Sequence, residues 1–249
     1  VDKAHDMGLK VWAMVENVST QESIKNLNTK TLMSSTSTRK KLIEKLMNEA
    51  DTYGFDGFNL DFESLKAEAG PHYVQFIREM SVACRNKGLV LSVDNYVPSS
   101  YTAFYNRREQ GIVADYVIVM GYDEHTEGSY EAGSVASIGY LKNGISEALK
   151  SVPADKLIAG VPFYTRLWFE RPKTDEEFAA DEGTEAENYP NKVKSSAYGM
   201  DDAAELISSM GSQTEWDDKT KQNYAQWEGD GGVYKIWLED TQSLEEKLK

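Results

Sequence analysis

Asp56-Gly57-Phe58-Asn59-Leu60-Asp61-Phe62-Glu63 is the stretch on which the reading of this chain turns. Side chains of an extended strand alternate between faces. A strand over Phe58–Phe62 therefore turns Phe58, Leu60 and Phe62 one way and Asn59, Asp61 and, at its end, Glu63 the other. The apolar set can pack under covering helices. The polar set then points into the interior or mouth of a sheet, where each group is unfavourable unless it bonds a neighbour or a ligand. Adjacent inward carboxylates resist ionising together, so one is expected to keep a proton toward neutral pH. Glu63, at the C-terminal end of the strand, is the candidate general acid. Asp61, deeper in, is the candidate for orienting substrate and stabilising charge. The competing reading of the same spacing is a polar face used only for structural hydrogen bonds.

Working outward, short apolar runs alternate with longer helical patterns. Val11–Glu16 reads as a strand, and Arg39–Tyr53 has apolar residues at helix spacing. Tyr73–Asn86 reads as a helix that Gly88 ends. Leu89–Val93 is a strand, Tyr101–Gln110 a helix, Tyr116–Met120 a strand, Ala136–Ser151 a helix and Leu157–Phe163 a strand. Strict β-α alternation with strands apolar on both faces predicts a parallel sheet covered by helices. A barrel and an open doubly wound sheet both satisfy that pattern. No Gly-x-Gly-x-x-Gly or phosphate-loop signature follows a strand, which weakens the nucleotide-binding version.

After Tyr164 the rhythm changes. Residues 165–232 are polar, acidic and glycine-containing, and they read as a small subdomain inserted in the barrel. The charge run Asp175–Glu187 reads as a solvated loop, and Asp201–Met210 as a short helix. Val233–Leu238 is expected to return as a sixth strand, with a helix starting at Ser243. The domain expectation is a barrel portion in 1–164 and 233–249, with the insertion in 165–232.

Composition narrows the function. The net charge of −14 disfavours nucleic acid and anionic lipid, which attract basic surfaces. No apolar run is long enough for a membrane span. The single cysteine, Cys84, sits in an apolar helical pattern and reads as core, and the three histidines lack metal-ligand spacing.

The stretch Asp56–Glu63 resembles the DGxDxDxE signature of glycoside hydrolase family 18, the chitinase-like barrels, with Asn59 in place of the first inward Asp. Other segments follow in the same order. Met120-Gly121-Tyr122-Asp123 resembles the family's sixth-strand MxYD. Gly160–Arg166 resembles its seventh-strand GxPxYGR, with Thr165 replacing the Gly. Val11–Asn17, Leu91–Tyr96 and Val233–Leu238 look like strands three, five and eight. Tyr122–His125, Tyr164–Trp168 and Ile236–Asp240 look like the bacterial branch of spore-cortex and cell-wall N-acetylglucosaminidases.

The resemblance implies an α/β fold, a (β/α)8 TIM barrel carrying strands three to eight, with an α+β insertion between the last two. Nothing before Val11 supplies the family's first two strands, so a fragment of a longer enzyme is expected. It implies a retaining hydrolase of β-1,4-linked N-acetylglucosamine glycans, peptidoglycan or spore cortex before chitin. In this substrate-assisted chemistry the 2-acetamido oxygen, not a protein group, attacks the anomeric carbon. Glu63 would protonate the leaving oxygen and then activate water, Asp61 would hold the acetamido N–H, and Tyr122 would donate its hydroxyl to the same group. Asn59 and Asp123 are further substrate contacts. Asn17, Asn95 and Tyr96 follow strands and would line the mouth or cap the next helices. Tyr164, Arg166 and Trp168 would contact sugar, and Trp237 would floor the pocket or pack as core. The expected partner is an N-acetylglucosamine-containing polysaccharide, with no nucleic acid, no membrane span and no cofactor; oligomeric state stays open. The expected location is extracellular, at the cell wall or spore. The rival function is a lectin-like barrel of the same family that binds without cleaving.

Overall fold

The computed structural model describes residues 1–17 and 28–249. The chain divides into two compact units. One is Val1–Met120 with Gly144–Ala159, and the other is Gly121–Asn143 with Gly160–Lys249.

In the first unit, β1 (Trp12–Glu16), β2 (Gly57–Asp61), β3 (Val90–Tyr96) and β4 (Tyr116–Met120) pair in parallel, and β5 (Leu157–Gly160) completes the order β1-β2-β3-β4-β5. The sheet is open, with β1 and β5 at its edges. Helix α1 (Asp2–Asp6) precedes β1; α2 (Thr29–Ser34), α3 (Thr36–Tyr53), α4 (Gly70–Lys87) and α5 (Arg107–Val113) separate the strands, and α6 (Ile138–Ala148) precedes β5. Gly54 and Gly88 end α3 and α4 in the left-handed conformation, where a Cβ is disfavoured. The core lies on the helix-facing side of the sheet. Phe58, Leu60, Phe62, Leu91 and Val93 meet Tyr73, Phe76, Ile77 and Met80 of α4 there. Cys84 belongs to this core, and burial pushes its thiol up to about 12. Gly57 is required where β1 and β3 crowd β2: a Cβ would lie 2.5 Å from the Val90 carbonyl oxygen.

The second unit holds an antiparallel sheet of order β7-β6-β10-β9-β8. Its strands are β6 (Tyr164–Pro172), β7 (Asn191–Gly199), β8 (Glu215–Asp217), β9 (Gln222–Gly229) and β10 (Gly232–Leu238), with helices α7 (Asp175–Asp181), α8 (Met200–Ser209) and α9 (Thr241–Lys247). Ala203 and Ile207 of α8 cluster with Ala225, Ile236 and Leu238.

Three expectations change. Val233–Leu238 does not run as a further parallel barrel strand. It lies inside β10, between β6 and β9, and is antiparallel to both. The cause is the two-residue link Asp230-Gly231, with φ of 51° and 77°, which closes a tight hairpin from β9. Tyr101–Gln110 is not one helix. Asn106 takes a left-handed φ of 53° and splits it into a 3-10 turn and α5, which its side chain caps at Glu109 N. Within Asp175–Glu187, residues 175–181 form α7. Thr174 and Glu177 make a capping box there, and Arg171 binds Glu177 through two bonds of 2.7 and 2.8 Å.

The second unit also encloses a charge pair. The side chains of Lys247 and Glu239 are each 2% exposed and paired to one another. Ser243 Oγ donates to Glu239 Oε1 at 2.8 Å and Gln222 Nε2 to Oε2 at 3.2 Å. Burial raises the Glu239 carboxyl and lowers the Lys247 ammonium from their ordinary pKa values. Lys247→Met would strand the carboxylate, and the expected loss is about 3 kcal/mol near pH 7, read as a shift in urea midpoint. Without Lys247 the Glu239 pKa rises further. The folded state then binds a proton that the unfolded chain has released, so stability falls as pH rises through that window. The deficit should therefore shrink from pH 7 toward about pH 5. A deficit that stays constant or grows toward acid would mean that Glu239 remains ionised without its partner.

Candidate active site

In the first unit the pleat of β2 sends Phe58, Leu60 and Phe62 into the core and leaves Asn59, Asp61 and Glu63 half-buried on the opposite face. Ser92, Asp94 and Tyr96 of β3 share that face. Asn59 Nδ2 donates to Ser92 Oγ at 2.9 Å and to Asp94 Oδ1 at 3.0 Å. Glu16 of β1 is the register partner of Asp61, and Val93 is the partner of Leu60, so Glu16, Asp61 and Asp94 form a row across three neighbouring strands. Burial and then the Glu16 charge raise the Asp61 carboxyl pKa. Burial pushes Asp94 up to about 6; the Asn59 bond opposes this, and the charges of Asp61 and Glu63 add to it. Asp61 Oδ1 is buried and has no hydrogen-bond partner among the described residues.

Glu63 lies just past the end of β2, and its main chain is held from three sides. Asn17, directly after β1, accepts from Glu63 N at 2.7 Å and donates through Nδ2 to Glu63 O at 2.9 Å. Tyr105 donates its hydroxyl to Phe62 O at 3.0 Å. Ser64, left-handed at φ 53°, donates its N–H to Tyr96 Oη at 3.0 Å. A cleft of about 270 Å³ opens here, lined by Asn17, Thr29, Glu63, Ser64 and Leu65 among others. The arrangement holds a carboxyl group at a cleft, above a half-buried carboxylate pair, on a backbone that cannot shift without breaking several bonds.

Asn95 is a correction. It is 1% exposed and faces the core side with Leu91 and Val93, where its Nδ2 donates to Gln110 Oε1 at 2.6 Å. Asn95 and Tyr96 are adjacent on one strand and cannot share a face. Applied to β3, the same alternation selects Asp94 with Tyr96, and that signal was present in the sequence.

The second unit gathers the other candidates. Tyr122 is half-buried and meets Tyr164 edge-on at 6.2 Å. Tyr164 donates its hydroxyl to Asp123, which holds a left-handed φ of 62°. Burial, then this bond, pushes the Tyr164 hydroxyl above its ordinary range. Arg166 Nη1 donates to Ser195 Oγ at 3.0 Å. Trp168 is also a correction as a sugar contact: it is 1% exposed and sits edge-on to His125 at 6.4 Å. Trp237 is half-buried, packs on Tyr224 at 4.6 Å and donates Nε1 to Asp217 Oδ2 at 3.1 Å. It lines a cleft of about 580 Å³ with Glu124, His125, Tyr140, Asp217 and Lys235. Glu124 and Asp217 were not singled out in the sequence. Among the described residues, no group of three or more His, Cys, Asp and Glu side chains could hold a metal ion, and no helix is long and apolar enough to cross a membrane.

Comparison with known proteins follows the same lines. The uncharacterized glycosylase YvbX of Bacillus subtilis is 30% identical over 169 residues, covering 64% of this chain and 48% of its own length. The cortical fragment-lytic enzyme of Bacillus subtilis is 28% identical over 146 residues, 55% of this chain and 33% of that protein. The chain thus spans about half or less of these relatives. The crystal structure of a chitinase from Chromobacterium violaceum superposes with a TM-score of 0.79 at 23% identity, over 98% of this chain and 71% of that one, a likeness of fold. The sequence profile described as glycosyl hydrolases family 18 matches residues 3–249, and the chain belongs to that family.

Proposed function

We propose that this chain is the catalytic portion of a retaining glycoside hydrolase that cleaves β-1,4-linked N-acetylglucosamine glycans, with Glu63 as general acid and then base. The observation that carries the reading is the bracing of Glu63 by Asn17, with Asp61 beneath it on the same strand face. A general acid must stay within hydrogen-bond reach of the leaving oxygen while the bond breaks, and a fixed backbone favours that geometry.

In this reading the substrate's acetamido oxygen attacks the anomeric carbon as Glu63 protonates the departing oxygen. Asp61 accepts from the acetamido N–H and stabilises the positive charge that develops. Glu63, now a carboxylate, takes a proton from water as that water opens the cyclic intermediate. On the family pattern Tyr122 is a second donor to the acetamido group, and Asp123, Tyr164, Arg166 and Trp237 contact sugar. Asn17 and Tyr96 position Glu63. Residues 165–232 are read as an insertion subdomain.

The similarity to a cortical fragment-lytic enzyme supports peptidoglycan or spore cortex as the substrate, and with it a location outside the cell at the wall or spore. The chitinase-like fold keeps chitin oligomers as the second choice. Retention of both Asp61 and Glu63 weighs against a lectin-like barrel, which needs no acid.

The test is hydrolysis of a chromogenic N-acetylglucosamine oligomer and of purified peptidoglycan. Glu63→Gln should lower kcat by about 10²–10⁴ with binding retained. A protein that binds either glycan and cleaves neither would establish the lectin reading; full activity in Glu63→Gln would place the acid elsewhere. Asn17→Ala removes two bonds to the Glu63 backbone but leaves the carboxyl present. It should lower kcat about tenfold with KM little changed, and unchanged kcat would show that the bracing has no part in turnover.

A further inference from the structure

The antiparallel sheet of the second unit has two unlike faces. Lys235 and Trp237 of β10 turn to one of them, where they line the cleft of about 580 Å³. Tyr234 and Ile236 alternate to the other. On that far face the cluster under α8 takes in Leu167, Ala225, Ile236 and Leu238 and touches Trp227, but it does not include Phe169 or Tyr234. The row just beyond is continuous across four strands. Lys194 of β7 stands opposite Phe169 of β6, Phe169 opposite Tyr234 of β10, and Tyr234 opposite Trp227 of β9. The three aromatic residues are half-buried, and Lys194 is exposed.

The rings are held as a unit. The centroids of Phe169 and Tyr234 are 4.9 Å apart, and those of Tyr234 and Trp227 are 5.5 Å apart with planes 14° from parallel. Next to them β9 and β10 pair through Gly229 and Gly232. A Cβ on Gly232 would lie 2.8 Å from the Phe169 ring, and one on Gly229 would lie 3.2 Å from the Tyr234 ring. Both rings therefore lean along the sheet over a glycine, which leaves ring face rather than ring edge toward solvent. At the rim the Tyr234 hydroxyl donates to Asp230 at 2.7 Å. The competing reading is purely structural: rings that shield glycines, and lysines that keep an edge strand from pairing.

Size and charge select an occupant. An aromatic side chain buries roughly 150–250 Å² in all, so three half-buried rings leave a strip of no more than a few hundred Å². A stable protein interface takes about 800 Å² from each partner, and the strip is too narrow for one. A pyranose ring needs less. Its apolar C–H face matches a ring face, and its hydroxyls meet the polar rim. The cations lie together at the β7 edge. Lys194 ends the row and forms no ion pair among the described residues, Lys192 is exposed on the same face, and Arg171 is taken by Glu177. Asp201 and Glu205 of α8 are exposed, because Ala203 and Ile207 take the side toward the sheet. In a chain of net charge −14 this edge suits scattered carboxylates on a bound polymer, whereas a dense polyanion would be repelled by the whole.

We propose that Phe169, Tyr234 and Trp227 form a second glycan-binding platform, on the face turned away from the Trp237 cleft. It takes the sugar faces of a carboxylate-bearing wall glycan, and Lys194 meets the acid groups of that polymer. The choice of polymer rests on the hydrolase reading; the platform does not. Such a site holds insoluble polymer without taking part in the cleavage of a short soluble oligomer.

The experiment measures adsorption isotherms on purified peptidoglycan and on chitin in a Glu63→Gln background, which leaves the polymers intact. Alongside it, kcat/KM on the chromogenic oligomer is measured with Glu63 in place. Trp227→Ala should weaken adsorption to peptidoglycan about tenfold. Lys194→Glu should weaken it about fivefold, with the loss shrinking at high salt, and should leave adsorption to chitin unchanged. Both variants should keep the native kcat/KM on the oligomer. Adsorption to peptidoglycan that survives both substitutions would overturn the proposal, and so would a matching loss of oligomer turnover. A Lys194→Glu loss as large on chitin as on peptidoglycan would overturn the charge pairing. Binding to phosphatidylglycerol vesicles as tight as to peptidoglycan, and lost in Lys194→Glu, would overturn the glycan in favour of a membrane surface. If Trp227→Ala does not fold, Lys194→Glu decides alone, since its side chain is exposed and its replacement leaves the packing intact. If the protein adsorbs as expected but turns over no glycan, the platform stands and the missing turnover counts against the hydrolase reading alone.

Discussion

A strand covered on one side by helices must satisfy two unlike surroundings with a single alternating chain, and β2 is where this protein meets that demand. Phe58, Leu60 and Phe62 are between 0 and 4% exposed, and each contributes about 2 kcal/mol through the apolar surface it removes from water. The same pleat that buries them fixes the direction of Asn59, Asp61 and Glu63. Core and candidate site are therefore two faces of one constraint. Phe62 stacks on Tyr73 at 5.0 Å, and its carbonyl is bonded by the Tyr105 hydroxyl, so the packing that seats the ring also seats the peptide before Glu63. On the opposite face, partial burial of their own carboxyls raises Asp61 and Asp94.

The alternation within β2 was legible because it is local: eight consecutive residues carry both the apolar face and the polar one. Gly88 as a helix end and Cys84 as core were legible for the same reason, since each depends on a few neighbours along the chain. Asp94 was partly legible, for the rule that selected Asp61 and Glu63 also separates Asp94 and Tyr96 from Asn95. Its bond to Asn59 was not, because that depends on β3 lying beside β2 in a particular register, and 35 residues separate the two side chains. An apolar run such as Val233–Leu238 announces a strand without stating its direction. The direction lies in Asp230-Gly231 just before it, whose positive φ angles permit only a tight reversal. Asn106 divides a helical pattern by adopting a backbone conformation that an asparagine tolerates and that apolar periodicity does not register.

Asparagine 17 shows how the end of a parallel ladder can be continued without more strand. The β1–β2 register runs as far as Glu16 opposite Asp61, and beyond it the side-chain amide takes over, giving one donor and one acceptor to the main chain of Glu63. A primary amide is the side-chain counterpart of a peptide group, with both polarities at one end. Aspartate has the same length, but would set a carboxylate oxygen against the Glu63 carbonyl. Glutamine keeps both polarities on a stem one carbon too long, and serine has neither the reach nor the fork. Position 17 is thereby closed to nearly every substitution, although its side chain need not touch the sugar at all; a residue can be as narrowly specified by the backbone it completes as by the ligand it serves.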